Sequence, residues 1–435
     1  MESIYGLLLI FVVTFLIFLF SGWPIAFGLA TASIIAYIVI GGGSAFGNFA
    51  ILTYHSMFNY NLLALPIFVF MGEMMIGGGV AKKLYDGVSP LMERFPGSLV
   101  YTNIGANVIL GACCGSTIAA TTAISSVAIP EFKKRGFDKH ICYGSLASAG
   151  CIAAIIPPSI GMIIYCSITT VSLGKLFISG IIPGLLLALC LAFVTYLWIN
   201  ISPNIVPPVP NKVMSISMAI SFAFKNLWPV FLLIFIVLSV IYFGIATAAE
   251  SGCYGIFGAM ILAYFNKKLN LKNILASLFS TIKISTSLLL IIAVASVYGY
   301  AINTLGLKQW MLTFLGNLPG GVTVKMFILW LILLFLGMFL DGASIIIVIT
   351  PIFLPFAISL GMSPVWFGIF ILLAAELGNI TPPVGLTLYA VQAVSKEPLA
   401  VIAKGCLPYW VSYFLAEALI IFFPILVLWL PSKLM

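Results

Sequence analysis

Two adjacent prolines in the middle of a lipid-length apolar stretch constrain this chain more than any other feature. Pro382 and Pro383 stand inside residues 366–394, a run too long and too apolar for a surface element. Together they remove two backbone donors and push Thr381 out of the α region. Gly378 and Gly385 free the chain on either side. A membrane helix broken at mid-depth leaves amides and carbonyls unpaired, which is tolerated only along a cavity or a buried site. Glu376 and Asn379 stand at this break. Discontinuous helices of this kind build substrate and cation sites in secondary transporters.

The device occurs twice. Pro157 and Pro158 interrupt residues 141–171, and the offset between the two breaks is 382 − 157 = 225. The same offset relates Pro130 to Pro355, Gly136 to Gly361, Gly180 to Gly405 and Pro183 to Pro408. Several helix-punctuating residues at one spacing predict a duplicated fold. Coincidence among 39 glycines and 23 prolines is the competing explanation.

Composition names the solvent. The chain is 63% hydrophobic and 7% charged, where a soluble domain carries about 25% charged residues. Its net charge of +8 is not a nucleic-acid signal, because the basic residues lie in short loops between apolar spans, where they set orientation. The first lysine or arginine is Lys82, so residues 5–20 lack a charged leader and are expected to be a retained span. Eight cysteines form no C-x-x-C pair and read as small packing residues. With only His55 and His140, and no H-E-x-x-H, metalloprotease chemistry is unsupported.

Spans are expected over residues 5–20, 25–40, 62–76 and 176–199, and again over 227–243, 251–265, 284–304 and 408–430. Residues 100–130 are apolar but crowded with small and hydroxyl residues around Cys114, Gly115, Ser116 and Thr117. They fit two half-helices meeting in a re-entrant hairpin with a polar tip, or one straight helix with a small-residue seam. Residues 327–355 are the second candidate hairpin, with Asp341 at the position of Ser116 (341 − 116 = 225). The proline-rich segment 203–226 reads as a linker dividing a first repeat, residues 1–202, from a second, residues 227–435. Lys82, Lys83, Arg94, Lys133, Lys134, Arg135 and Lys139 flank the first hairpin, whereas only Lys308 and Lys325 flank the second. The positive-inside rule then brings the first hairpin in from the cytoplasm and the second from the opposite face. Halves of opposite topology are the mark of an inverted-repeat transporter. The expected fold class is therefore an all-α polytopic membrane protein of two inverted-topology repeats, with re-entrant hairpins and helices broken at Pro-Pro.

Four motifs carry a family resemblance: Pro157-Pro158-Ser159-Ile160, Gly337-Met338-Phe339-Leu340-Asp341, Pro351-Ile352-Phe353-Leu354-Pro355, and Gly378-Asn379-Ile380-Thr381-Pro382-Pro383-Val384-Gly385. Across nearly its whole length the chain resembles the large membrane subunit of tripartite ATP-independent periplasmic (TRAP) transporters, the DctM-like permeases. The resemblance implies a scaffold and an elevator-type transport domain in the bacterial inner membrane. It implies Na⁺ as coupling ion with no other cofactor. It also implies a small DctQ-like membrane subunit and a DctP-like periplasmic protein that delivers an organic anion. The first tip departs from the family pattern Ser-Gly-Ser-Ser-x-Ala-Asp: Cys114 replaces a hydroxyl, Ala120 replaces the carboxylate, and Gly161 stands where proline is frequent.

Unwound carbonyls and half-helix C-termini can ligate a hard cation, and half-helix N-termini favour an anion. On that basis two pseudo-symmetric Na⁺ sites are expected. The first uses Gly115, Ser116 and Thr117 with Pro157 and the backbone of residues 156–158. The second uses Asp341, Gly342 and Ser344 with Gly378, Asn379, Thr381 and Pro382. Ser116, Ser159 and Thr387 are the expected substrate contacts. Asp341 is the sharpest candidate, since an ionised carboxylate within a membrane is costly and usually functional; satisfaction by backbone amides at the tip is the alternative. Glu73 and Glu376 fit structural and functional roles equally well, Glu250 reads as a helix cap, and Glu417 has no evident role. Na⁺-coupled organic-anion uptake leads. A stand-alone carboxylate or ion exchanger is second, and an intramembrane enzyme using Asp341 and Glu376 lacks any nucleophile–base pair.

Overall fold

The computed structural model describes residues 13–14, 17–18, 23–41, 45–210 and 213–434, and every regular element among them is helical. The span expected over residues 5–20 lies almost wholly outside the described residues. In the first half, α1 (Ile25–Gly41), α2 (Ala45–Met57), α3 (Tyr60–Gly77) and α4 (Val80–Met92) precede a pair of helices, α5 (Ser98–Cys114) and α6 (Thr117–Arg135). Then come α7 (Lys139–Gly150), a 3-10 turn at Cys151–Ala154, α8 (Ile160–Ile168) and α9 (Leu173–Ile201). The second half holds α10 (Ile216–Tyr242), α11 (Ala248–Phe265), α12 (Leu271–Thr304), α13 (Leu307–Gly316), α14 (Val322–Gly337) and α15 (Gly342–Ser359). It ends with α16 (Pro364–Asn379), α17 (Leu386–Ser395), α18 (Leu399–Phe422) and α19 (Ile425–Leu434). Seven of these are long and apolar enough to cross a membrane, which makes the chain a multi-pass membrane protein. The starts of α6 and α15 (117 and 342) and of α7 and α16 (139 and 364) are each 225 residues apart.

Residues 100–130 are not one straight helix. Cys114 ends α5, Gly115 takes the left-handed region (φ +57), Ser116 is extended, and α6 starts at Thr117 and packs back on α5. Glycine is required at 115, because a Cβ there would collide with the Pro158 carbonyl. In the second half, Met338–Asp341 separate α14 from α15, which also pack together.

The Pro-Pro breaks are real interruptions, and both Pro–Pro bonds are cis. Each break is tied to the hairpin of its own half by one main-chain bond: Ile160 N to Gly115 O at 3.2 Å, and Val384 N to Met338 O at 3.2 Å. The first arm of each hairpin touches its broken helix at glycine. Gly111 lies against Ala153, and Gly337 against Gly378, with no room for a Cβ at any of these glycines. The halves also interlock: α6 packs on α17, and α15 on α8. Residues Trp366 to Asn379 of α16 are all buried, whereas α10 and α12 present Phe224, Phe235 and Phe279 outward.

Three boundaries differ from the sequence reading. The stretch 45–57 forms a helix that hydropathy did not mark out. α12 starts at Leu271 rather than 284 and runs for 34 residues, about 50 Å at 1.5 Å per residue. The matching stretch of the first half is split, because Asn59 caps a new helix by accepting from Asn61 N. And α10 starts at Ile216, inside the segment assigned to the linker, capped by Ser215.

Candidate functional site

The two hairpin tips and both breaks converge on a cavity of about 570 Å³, with Ala154, Ile160 and Gly161 lining it from the first break. Gly115, Ser116, Thr117, Thr122 and Ser126 line it from the first hairpin, and Asp341, Gly342 and Ala343 from the second. Glu376 and Asn379 line it from the end of α16, and Glu73 and Ser280 from α3 and α12. Three carboxylates thus face one cavity, and its lining includes no lysine, arginine or histidine.

Each tip is built as a helix N-terminus. Ser116 caps α6 by accepting from Ala119 N at 3.4 Å. Asp341 caps α15, accepting from Ser344 N at 3.4 Å and from the Ser344 hydroxyl. The positive ends of both helices therefore point toward the cavity mouth, as an anion requires. The Asp341 carboxylate is partly satisfied by its own helix start, so capping and cation binding are compatible roles for it.

Glu376 is the best-connected residue. It is 3% exposed. Thr117 Oγ1 donates to its Oε2 at 3.1 Å, across 259 residues of sequence, and Asn379 Nδ2 donates to the same oxygen at 3.2 Å. A Cβ on Gly342 would lie 3.1 Å from Oε1. Its carbonyl accepts from Cys151 Sγ at 3.7 Å. Asn379 is 5% exposed, and its Oδ1 has no hydrogen-bond partner among the described residues. An unclaimed buried amide oxygen beside a buried carboxylate is costly without a ligand. These oxygen donors suit a hard cation such as Na⁺.

Of the sequence-predicted residues, Gly115, Ser116, Thr117, Asp341, Gly342 and Asn379 share the cavity. Pro157, Ser159, Ser344, Gly378, Thr381, Pro382 and Thr387 are not among the residues that line it. Ser159 donates to Ala154 O and caps α8 through Met162 N, Thr381 donates to Leu377 O at 2.7 Å, and Thr387 donates to Asn379 O at 2.7 Å. These hydroxyls bond carbonyls at the breaks, so the expected substrate contacts at Ser159 and Thr387 are buried and occupied with backbone. Glu250 closes a capping box with Thr247. Glu417 is 2% exposed, and neither carboxylate oxygen has a partner among the described residues.

Ser280 escaped the sequence reading. Its signal was the i, i+4, i+8 row Ser280, Ile284, Leu288 on one face of α12, and starting that span at 284 hid it. Ser277 of the same helix donates to the Glu73 carbonyl at 3.2 Å, and Glu73 faces the same cavity.

A family model for the tripartite ATP-independent periplasmic transporter, DctM component, matches residues 12–426. The C4-dicarboxylate TRAP transporter large permease protein DctM of Pseudomonas aeruginosa is 32% identical over 386 residues, covering 88% of this chain and 89% of that protein. The ectoine TRAP transporter large permease protein TeaC of Halomonas elongata is 31% identical over 425 residues, covering 97% of this chain and 98% of that protein. Among solved structures, the Alcanivorax borkumensis YdaH transporter matches with a TM-score of 0.54 at 15% identity, over 83% of this chain and 85% of that one. That likeness is one of fold.

Proposed function

The chain belongs to the DctM component family of tripartite ATP-independent periplasmic transporters, and from that premise we propose that it carries a small organic anion into the cell on a Na⁺ gradient. It is a transporter and not an enzyme. In this reading it sits in the bacterial inner membrane beside a small membrane subunit and receives its substrate from a periplasmic binding protein.

The observation that carries the reading is the charge inventory of the cavity. Glu73, Asp341 and Glu376 face it and no basic side chain does. An anion entering alone would meet like charge in a low dielectric. Cations held by the acidic lining and the tip backbone remove that repulsion, and the N-termini of α6 and α15 then receive the anionic group. Coupling follows from electrostatics, because the anion gains a favourable site only when the cations are in place. Gly115, Ser116 and Thr117 would serve one cation, and Asp341, Gly342 and Asn379 the other. Chemistry supplied by bound Na⁺ is limited to charge neutralisation and to ordering the tips.

The offset of 225 shared by helix starts and breaks supports two repeats, and the excess of lysine and arginine beside the first hairpin over the second supports inverted insertion. Hairpins and broken helices would form the moving body, with α1, α3, α10, α11 and α12 as its frame. Uptake into vesicles carrying the chain with its small subunit and binding protein tests the reading. Uptake should require an inward Na⁺ gradient, and Asp341→Ala should reduce it at least tenfold at equal membrane insertion. Equal uptake with and without a Na⁺ gradient would overturn the coupling.

A further inference from the structure

The start of α3 holds the end of α8. Asn59, which precedes α3, donates from Nδ2 to the Ser167 carbonyl at 2.6 Å, across 108 residues of sequence. Asn61 donates from Nδ2 to the Cys166 carbonyl at 3.1 Å, across 105 residues. Both carbonyls belong to the last turn of α8, whose final four C=O groups find no partner within the helix. A third of those four, Tyr165 O, accepts from the Thr169 hydroxyl at 2.8 Å. Asn59 is engaged at its other atom too, because its Oδ1 accepts from Asn61 N at 2.9 Å and caps α3. A helix of the proposed moving body is thus finished by side chains of the proposed frame.

These bonds lie at one face, and the cavity extends toward the other. In the insertion proposed above, α3 begins at the outer face and ends beside Lys82 and Lys83 at the inner one. The cavity follows α6 from Thr117 to Ser126, about 14 Å toward the cytoplasm at 1.5 Å per residue, but follows α15 outward only from Gly342 to Ile346, about 6 Å. The asparagines therefore join frame to body on the outer side while the cavity reaches inward. The second half has no equivalent pair. At the offset of 225, Asn59 and Asn61 correspond to Ile284 and Thr286 (284 − 59 and 286 − 61), inside the unbroken α12. Ser167 corresponds to Gln392 (392 − 167), whose carbonyl accepts from Lys396 N at its own helix end.

We propose that Asn59 and Asn61 are positioning residues that latch the moving body in its inward-facing position, through bonds that part when the body slides outward. The proposal rests on the moving-body part of the transport reading above. α3 is frame and α8 is body, so a slide of one along the other separates both donors from their carbonyls. A bond made in only one of two states shifts the balance between them by its full worth. With no matching pair in the second half, this one biases the resting protein toward the cytoplasm. Water at the outer surface replaces the lost partners, which keeps the latch weak enough to release in every cycle.

Asn59→Asp combined with Asn61→Asp separates the latch from the fold. Aspartate at the N-cap still accepts from the residue 61 amide, and acidic groups suit a helix start. Neither side chain then donates, and each turns a carboxylate toward the carbonyl end of α8, where negative charge is disfavoured. The reporter is Ser126→Cys, in the inward arm of the cavity. It is carried on Cys253→Ser, because Cys253 is exposed and the other seven cysteines are buried. The full chain with its small subunit, in inside-out vesicles without Na⁺ or substrate, is labelled with a membrane-impermeant maleimide. Labelling from the cytoplasmic face should be at least about tenfold slower in the double variant than with both asparagines present. A merely structural loss would loosen the packing and speed labelling, so the slowing is specific to the latch. Asn59→Asp alone should slow it by a smaller factor and stands in should the double variant fail to insert. Unchanged or faster labelling, with uptake still driven by Na⁺, overturns the latch and leaves the transport reading intact. Slowed labelling, with uptake indifferent to Na⁺, supports the latch and overturns the coupling.

Discussion

At the scale of single residues, the site follows one rule: a group freed by a broken helix finds the nearest partner, and what remains unpaired marks a ligand. Thr381 and Thr387 answer carbonyls of the second break, and Ser159 does so at the first. A sequence shows that hydroxyls stand near a break but not which way each turns, so three good helix-break residues read equally well as ligands. Glu376 was ambiguous for the converse reason: its partner Thr117 is 259 residues away, and no local pattern joins them. Glu417 offers a contrasting test. Both its oxygens are buried and unpartnered among the described residues, and it does not line the cavity. An unsatisfied buried polar group costs about 1–3 kcal/mol, so Glu417→Leu should raise the unfolding temperature by a few degrees and leave uptake intact. A drop in uptake by correctly folded Glu417→Leu would give that carboxylate a part in transport. Gly115 makes the opposite prediction. Its φ of +57 and its contact with Pro158 O forbid a side chain, and the left-handed conformation alone costs an L-residue about 1–2 kcal/mol. Gly115→Ala should lower the unfolding temperature and loosen the first tip, seen as faster hydrogen exchange at residues 114–120.

At the scale of elements, proline and glycine made the hairpins and breaks readable, because those residues act on their own backbone and need no distant partner. Gly115, Pro157 and Pro382 punctuate the chain wherever they are placed. What stayed hidden was continuity. Residues 271–304 form one helix although Lys272 and Lys283 lie within it, since a lysine ends a hydropathy window without ending a helix. The close approach of each hairpin to its broken helix was equally unreadable, because it depends on which faces meet. The second approach, Gly337 on Gly378, leaves no space for a Cβ on either residue. Gly378→Ala should push α14 off α16 and displace Asp341, which follows α14 by four residues. Overpacking of this kind costs about 1–3 kcal/mol, so the expected result is reduced Na⁺ affinity in a chain that still inserts. Unchanged Na⁺ affinity in Gly378→Ala would mean that the tip is positioned by other contacts.

At the scale of the whole molecule, the proposed mechanism needs a boundary between two bodies, and one close contact across it involves a glycine of α3. The proposed frame packs within itself, α3 on α11 and α12, and α10 on α11. The hairpins and broken helices pack among themselves, α14 on α16 and α6 on α17. Between the bodies, α3 meets α5 at a glycine: a Cβ on Gly72 would stand 2.8 Å from Cys114 Cα and 2.9 Å from Cys114 Cβ. Cys114 is the last residue of α5 before the first tip. Any side chain at 72 therefore pushes the tip away from the frame, and the obstruction grows with its size. If the hairpin body slides past α3 during transport, the tip must pass or rest at this point in each cycle. The effect should be graded. Gly72→Ala should slow initial uptake measurably, and Gly72→Val should slow it at least tenfold, with Na⁺ binding to the purified chain preserved because the proposed tip ligands at residues 115–117, Asp341, Gly342 and Asn379 lie on the hairpin side of the boundary. Wild-type uptake by Gly72→Val, at equal amounts in the membrane, would show that the first tip keeps clear of α3 while it works. The line between frame and moving body would then have to be drawn elsewhere.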